Sequence, residues 1–132
     1  MSNRSSSVEV LPSEDGSTEQ PVPTAWRPVF REIVLAFAQQ NYRLLDVETG
    51  AEALSLEAAA RIRDYVEDYG AVLTELPEDT WESSVCVRSG KHWSVLVDLW
   101  TQSEGRSDLV LSARVLALDS GFAFKNLMVY VP

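Results

Sequence analysis

The segment His92-Trp93-Ser94-Val95-Leu96-Val97-Asp98-Leu99-Trp100-Thr101 alternates in character residue by residue. In an extended chain Trp93, Val95, Val97 and Leu99 project to one side, and His92, Ser94, Leu96, Asp98 and Trp100 to the other. This period describes a strand with one face against a core and the other of mixed polarity. Downstream, Asp108 to Leu118 repeats the division, with Leu109, Leu111, Ala113, Val115 and Ala117 on the apolar side and Val110, Ser112 and Arg114 on the mixed one. Further strands are expected at Glu82 to Arg88 and Phe122 to Val131. The separators Ser89-Gly90-Lys91, Gln102 to Ser107 and Asp119-Ser120-Gly121 are short enough for hairpins, which predicts an antiparallel meander. In the last strand Leu127-Met128-Val129 is apolar on both faces, and a bulge near Lys125 restores the alternation. Ala71 to Leu76 reads as a short additional strand, followed by a polar turn from Pro77 to Thr80 that leads into Trp81.

Upstream of these strands the period changes to that of helices. Trp26, Phe30, Ile33 and Phe37 are spaced by four, three and four, so they share one helix face. Thr24 is the expected N-cap, Pro28 is tolerated in the first turn, and the helix should end near Gln40 or Tyr42. A second helix carries Ala59, Ile62, Val66 and Tyr69 on its buried side and ends at Gly70. Two starts compete for it: Thr49 with Glu52 has capping-box spacing, whereas Ser55 immediately precedes the periodic run. Residues 1–22 are rich in Ser with few large apolar groups, and are expected to be a flexible polar tail before a single domain at 23–132. The predicted class is α+β, with two helices packed on one face of a four- to five-stranded antiparallel meander sheet. Trp26, Trp81 and Trp93 are assigned to the core or its rim.

The chain has 132 residues, 45% hydrophobic and 23% charged, with 11 Lys and Arg against 20 Asp and Glu. That size suffices for one core. No apolar run has the length of a membrane helix, so no membrane association is expected. A net charge of −9 would repel a phosphate backbone, which disfavours nucleic acid as a partner. The N-terminal residues lack the apolar stretch of a secretory signal, and one cysteine, Cys86, cannot form an internal disulfide; both features predict a cytoplasmic protein. With a single His and a single Cys and no paired ligand spacing, neither a metal site nor a cofactor is expected.

Charge is unevenly distributed. Residues 46–82 alone carry −9, while residues 1–22 carry −3, residues 23–45 carry +2 and residues 83–132 carry +1. Glu57, Asp64, Glu67, Asp68, Glu75, Glu78 and Asp79 form the candidate acidic patch, either a solvated face or a surface that steers a basic partner. On the mixed sheet face, Leu96, Asp98, Trp100 and Arg114 form a second candidate surface, an aromatic anchor ringed by polar groups. The alternatives are an ion pair between Asp98 and Arg114 and a loop or tail covering Trp100. No catalytic residues are assigned: the only thiol and imidazole, Cys86 and His92, can meet only if they face the same side of a hairpin, and phosphate-binding glycine loops are missing.

The runs Trp93-Ser94-Val95-Leu96-Val97-Asp98-Leu99-Trp100-Thr101 and Glu104-Gly105-Arg106-Ser107-Asp108-Leu109 resemble the core of a small bacterial domain family of unassigned function. Ile62 to Gly70 and Met128 to Pro132 extend that resemblance over most of the chain from Pro21. It implies one folded unit and carries no catalytic residues with it. In size, acidity and α+β layout the chain also resembles bacterial immunity proteins, which implies a non-enzymatic inhibitor of a basic toxin or effector. The alternative expectation is a structural or assembly domain that homodimerises through the mixed sheet face.

Overall fold

A computed structural model describes residues 18–132 of the chain. Two helices, α1 (Arg27–Ala38) and α2 (Leu56–Tyr69), lie with a five-stranded antiparallel sheet of order β1-β2-β3-β4-β5, an α+β arrangement. The strands are β1 (Gln20–Pro21), β2 (Val85–Ser89), β3 (His92–Thr101), β4 (Gly105–Leu118) and β5 (Gly121–Tyr130). From β2 onward each strand turns directly into the next, as the short separators require, while both helices fall between β1 and β2.

The alternation of β3 determines the core. Trp93, Val95, Val97 and Leu99 are buried, together with Leu109, Leu111, Ala113 and Val115 of β4; Ala117, near the end of β4, is exposed. Phe30, Ile33, Val34 and Phe37 of α1 and Ile62 and Val66 of α2 belong to the same apolar cluster. Trp26, Trp81 and Trp93 are all buried. Trp26 meets Trp93 and Phe122 edge-on, with centroids 5.5 and 5.3 Å apart, and Arg88 lies 4.5 Å over the Trp93 ring.

Helix boundaries follow from local chemistry. Ser55, not Thr49, caps α2: its hydroxyl accepts from the Ala58 N–H at 3.1 Å. The Thr49 hydroxyl instead accepts from the Ala51 N–H two residues on, a local turn that competes with helix formation. Gly70 ends the helix in the left-handed region, at φ 82°. Thr24 is not the N-cap expected of it. A 3-10 turn, Thr24–Trp26, precedes α1, its Pro23 boundary makes no side-chain cap, and Pro28 occupies the first turn of the helix. The helix stops at Ala38, before Gln40 adopts φ 67°.

Three strand expectations need correction or completion. The fifth strand is not Ala71 to Leu76, which makes only one isolated bridge, Leu73 to Thr101; it is Gln20–Pro21, paired with Val85 and Cys86. Residues 1–17 of the expected tail lie outside the described residues, whereas Gln20 to Val22 belong to the fold, with Val22 fully buried. Two paired residues, one of them Pro21, form a short edge strand, which suits a sheet margin. In β5 the register against β4 shifts between Ser112 and Arg114, opposite Lys125 to Met128, and Asn126 takes φ 56°. The bulge expected near Lys125 is therefore present, and it returns Leu127 and Val129 to the buried face.

Candidate functional site

The mixed face of β3 is organised by the segment that runs beside it. Leu73 bridges to Thr101, and Val85 to Ser89 pair with Leu96 to His92, so residues 73–89 track β3 along its length. Between these contacts Pro77 has no N–H to offer a ladder, and the chain leaves the strand as a 3-10 turn, Glu78–Glu82. Two buried hydroxyls complete the edge it abandons. Thr80 Oγ1 donates to the Asp98 carbonyl at 2.6 Å, and Ser84 Oγ accepts from the Asp98 N–H at 2.9 Å while donating to the Thr80 carbonyl at 2.7 Å. Further along, the Thr74 N–H donates to the Trp100 carbonyl at 3.0 Å, and the Gln102 N–H to Val72 at the same distance. These bonds give the N–H and C=O of Asp98 and the C=O of Trp100 partners where no neighbouring strand supplies them.

This turn places the acidic segment beside the sheet face. A hollow of about 500 Å³ is lined by Asp79, Glu82 and Ser83 of the turn, Trp100 of β3 and Arg106 of β4. Trp100 is half-buried, opposite Arg106 in register, and its ring edge lies 3.8 Å from the position a Cβ on Gly105 would take. Asp98 borders this region, but its carboxylate accepts a hydrogen bond from the Ser83 hydroxyl and thereby ties the turn to the strand.

The two sequence-derived sets redistribute accordingly. Asp98 pairs with Val110 and Arg114 with Ser94, so the cross-strand ion pair weighed between Asp98 and Arg114 does not form. Arg114 is exposed eight residues along β4 from Arg106, about 26 Å by strand rise, and sits opposite Lys125. Leu96 is half-buried opposite Val85 and Ser112. Of the four, only Trp100 lines the hollow, and Asp98 reaches it through Ser83. No described tail segment covers Trp100; the 3-10 turn and the β3–β4 hairpin flank it.

The acidic residues are all exposed, yet they are not equivalent. Glu78 forms an ion pair with Arg31, and Asp64 one with Arg63 at 3.1 Å. Glu57 lies in the first turn of α2, where the helix dipole favours a carboxylate. Glu67 acts on Tyr42, whose hydroxyl is held above its ordinary range by burial and then by that charge. Among the described residues Glu57, Glu67, Asp68, Glu75 and Asp79 form no salt bridge. Only Asp79 of the seven joins the Trp100 hollow. Arg106 and Ser83 were missed in the sequence; their one signal is position, since the first lies across a hairpin from Trp100 and the second just before the strand that pairs with β3.

The Cys86–His92 pair that a hairpin would permit does not form. Cys86 is paired with Val95 on the core face and fully buried, while His92 falls on the opposite face, with Nε2 3.5 Å from Ser94 Oγ. Burial pushes the Cys86 thiol up to about 11, away from the thiolate form. Among the described residues no group of three or more His, Cys, Asp and Glu side chains is placed to hold a metal ion, and no helix is long and apolar enough to cross a membrane.

No curated protein and no solved structure matches the chain. Residues 34–132, from the middle of α1 through β5, match the domain of unknown function DUF7668. That span takes in α2, the Glu78–Glu82 turn, the Trp100 hollow and β2 to β5, and the chain belongs to the DUF7668 family.

Proposed function

We propose that this domain is a non-enzymatic protein-binding module, most concretely an immunity or inhibitor protein that neutralises a basic toxin or effector. The observation that carries the reading is the Trp100 hollow, where a half-buried indole adjoins the exposed carboxylates of Asp79 and Glu82. A Lys or Arg side chain from a partner entering there would lie over an aromatic face and meet acceptors at once, a combination favoured at interface anchors. The unpaired carboxylates Glu67, Asp68 and Glu75 add a long-range field of the same sign, which raises association rates and weakens with salt. Arg106, which lines the same hollow, offsets one of its two carboxylates.

The test is a comparison of the parent chain with Trp100→Ala and with Asp79→Lys, each probed for retention of basic proteins from the native host at low and high salt. The reading expects a basic chain that the parent retains and both variants lose. The second reading, a homodimer through the mixed sheet face, is favoured by Val85, Val87 and Leu96, which are only half-buried on the side away from the helices. Sedimentation of the parent against Leu96→Arg distinguishes it, since a dimer on that face dissociates in the variant.

A further inference from the structure

The far edge of the sheet offers a different kind of site, independent of the Trp100 reading. β5 is the last strand, and two contacts close the ends of its outer edge. At one end the Phe124 N–H donates to the Gly50 carbonyl at 3.4 Å, beside the single bridge from Ala51 to Phe124. At the other the Val131 N–H donates to the Tyr65 hydroxyl of α2 at 3.3 Å. Between them, strand periodicity turns the N–H and C=O of Val129 and Leu127 to the same outer side as the Val131 N–H. No described segment pairs with them there.

This unpaired edge, whose Leu127 and Val129 keep 5% and 4% of their surface exposed, is one wall of a groove. Two hollows of about 450 and 310 Å³ share Ala58, Arg61, Leu127 and Met128, and so run together between α2 and β5. Ile62, Leu127 and Val129 are buried beneath it, and Tyr65 lines its Tyr130 end. The ends differ in charge. Asp68 and Asp64, the latter ion-paired with Arg63, line only the hollow at the Tyr130 end, Lys125 and one opposing carboxylate, Glu52, line only the one toward Phe124, and Arg61 lies between, lining both. Six residues of β5, from Lys125 to Tyr130, span about 20 Å, the reach of a short extended peptide.

We infer that the α2–β5 groove takes an extended segment of another protein by strand addition to β5. Antiparallel pairing is the more stable mode and sets the peptide N-terminal end beside Asp68 and its C-terminal end beside Lys125, with Arg61 midway. The matching segment therefore carries a Lys or Arg first, alternating apolar residues next, and an acidic residue or free carboxylate last. The main-chain bonds fall on Leu127 and Val129, and the apolar side chains on the floor around Ala58 and Ile62.

Selection of displayed random peptides on the full chain, followed by hydrogen exchange with the best synthetic peptide, tests this. The expected result is a basic–apolar–acidic consensus whose binding slows exchange of the Leu127 and Val129 amides by about tenfold or more, because strand pairing protects them. N-methylation of alternate peptide amides should weaken binding by about tenfold, the size of a lost hydrogen-bond set, and Asp68→Lys should weaken it with the thermal melt unchanged. Trp100→Ala should leave peptide binding as it was, which separates this site from the Trp100 hollow. No selected peptide, peptides that leave those two amides unprotected, or protection that arises from self-association of the chain in sedimentation would each overturn the proposal.

Discussion

The two faces of β3 share one backbone and differ in almost everything else. On the helix side Val95, Val97 and Leu99 are wholly excluded from water, within a cluster that joins both helices and four strands. On the other side, one residue along in each case, Ser94, Leu96, Asp98 and Trp100 keep part or all of their surface in contact with solvent. The inner face gains stability in proportion to apolar area removed from water. The outer face is held in place by that stability without contributing much to it, so it is where side chains remain free to meet something else. The lesson is that a surface worth reading for function is the one whose residues the fold positions but does not consume.

The sharpest way to break this contrast is a pair of leucines three residues apart on opposite faces. Leu99→Ala leaves a cavity in the core and is expected to cost about 2–5 kcal/mol, whereas Leu96→Ala should cost about 1 kcal/mol or less. Urea unfolding of both variants measures the difference, and equal losses would show that the outer face is covered after all. Next in size is Gly50→Ala. An added Cβ would stand 2.8 Å from Phe124 Cδ1, and the clash is expected to cost about 1–3 kcal/mol and to expose the Phe124 amide to exchange.

A smaller effect comes from the turn that supports the candidate site. Ser84→Ala removes the hydroxyl that accepts from the Asp98 N–H, and a loss of about 1–2 kcal/mol should appear in thermal melts together with loosening around Trp100. Cys86 sharpens the comparison by pH. Its raised value in the folded chain means that the protonated thiol is the form the fold favours. Its contribution to stability is complete below the ordinary thiol range and is lost as pH rises toward about 11. Alkylation of the native chain at neutral pH should accordingly be much slower than in denaturant, and matching rates would place the thiol outside the core.

Much of the architecture was legible because the patterns were redundant. The alternation of β3 and β4, the spacing of Phe30, Ile33 and Phe37, and the hairpin separators all favoured the same layering, and the bulge at Asn126 was forced by the pattern around it. Gln20–Pro21 was not legible, because two residues, one of them a proline, carry no period and their pairing depends on where β2 lies in space. The segment Ala71 to Leu76 misled for the converse reason: its composition suits a strand, but Pro77 and the 3-10 turn interrupt the pairing, and two hydroxyls take over the bonds of Asp98. Of the site, the sequence supplied Trp100 and Asp79 as members of separate lists. Their meeting, and the presence of Arg106 and Ser83 beside them, depends on a three-dimensional detour of the chain that no linear spacing records.

The role proposed for the outer face at Trp100 is to anchor a basic protein partner. Its most direct test is capture from the native host with tagged parent chain and Trp100→Ala in parallel, at low and high salt, with bound chains identified by mass spectrometry. The expected result is one basic protein that the parent retains at low salt, and that both high salt and the Trp100→Ala substitution release. Retention of the same protein by parent and variant alike, or of no basic protein by either, would contradict it.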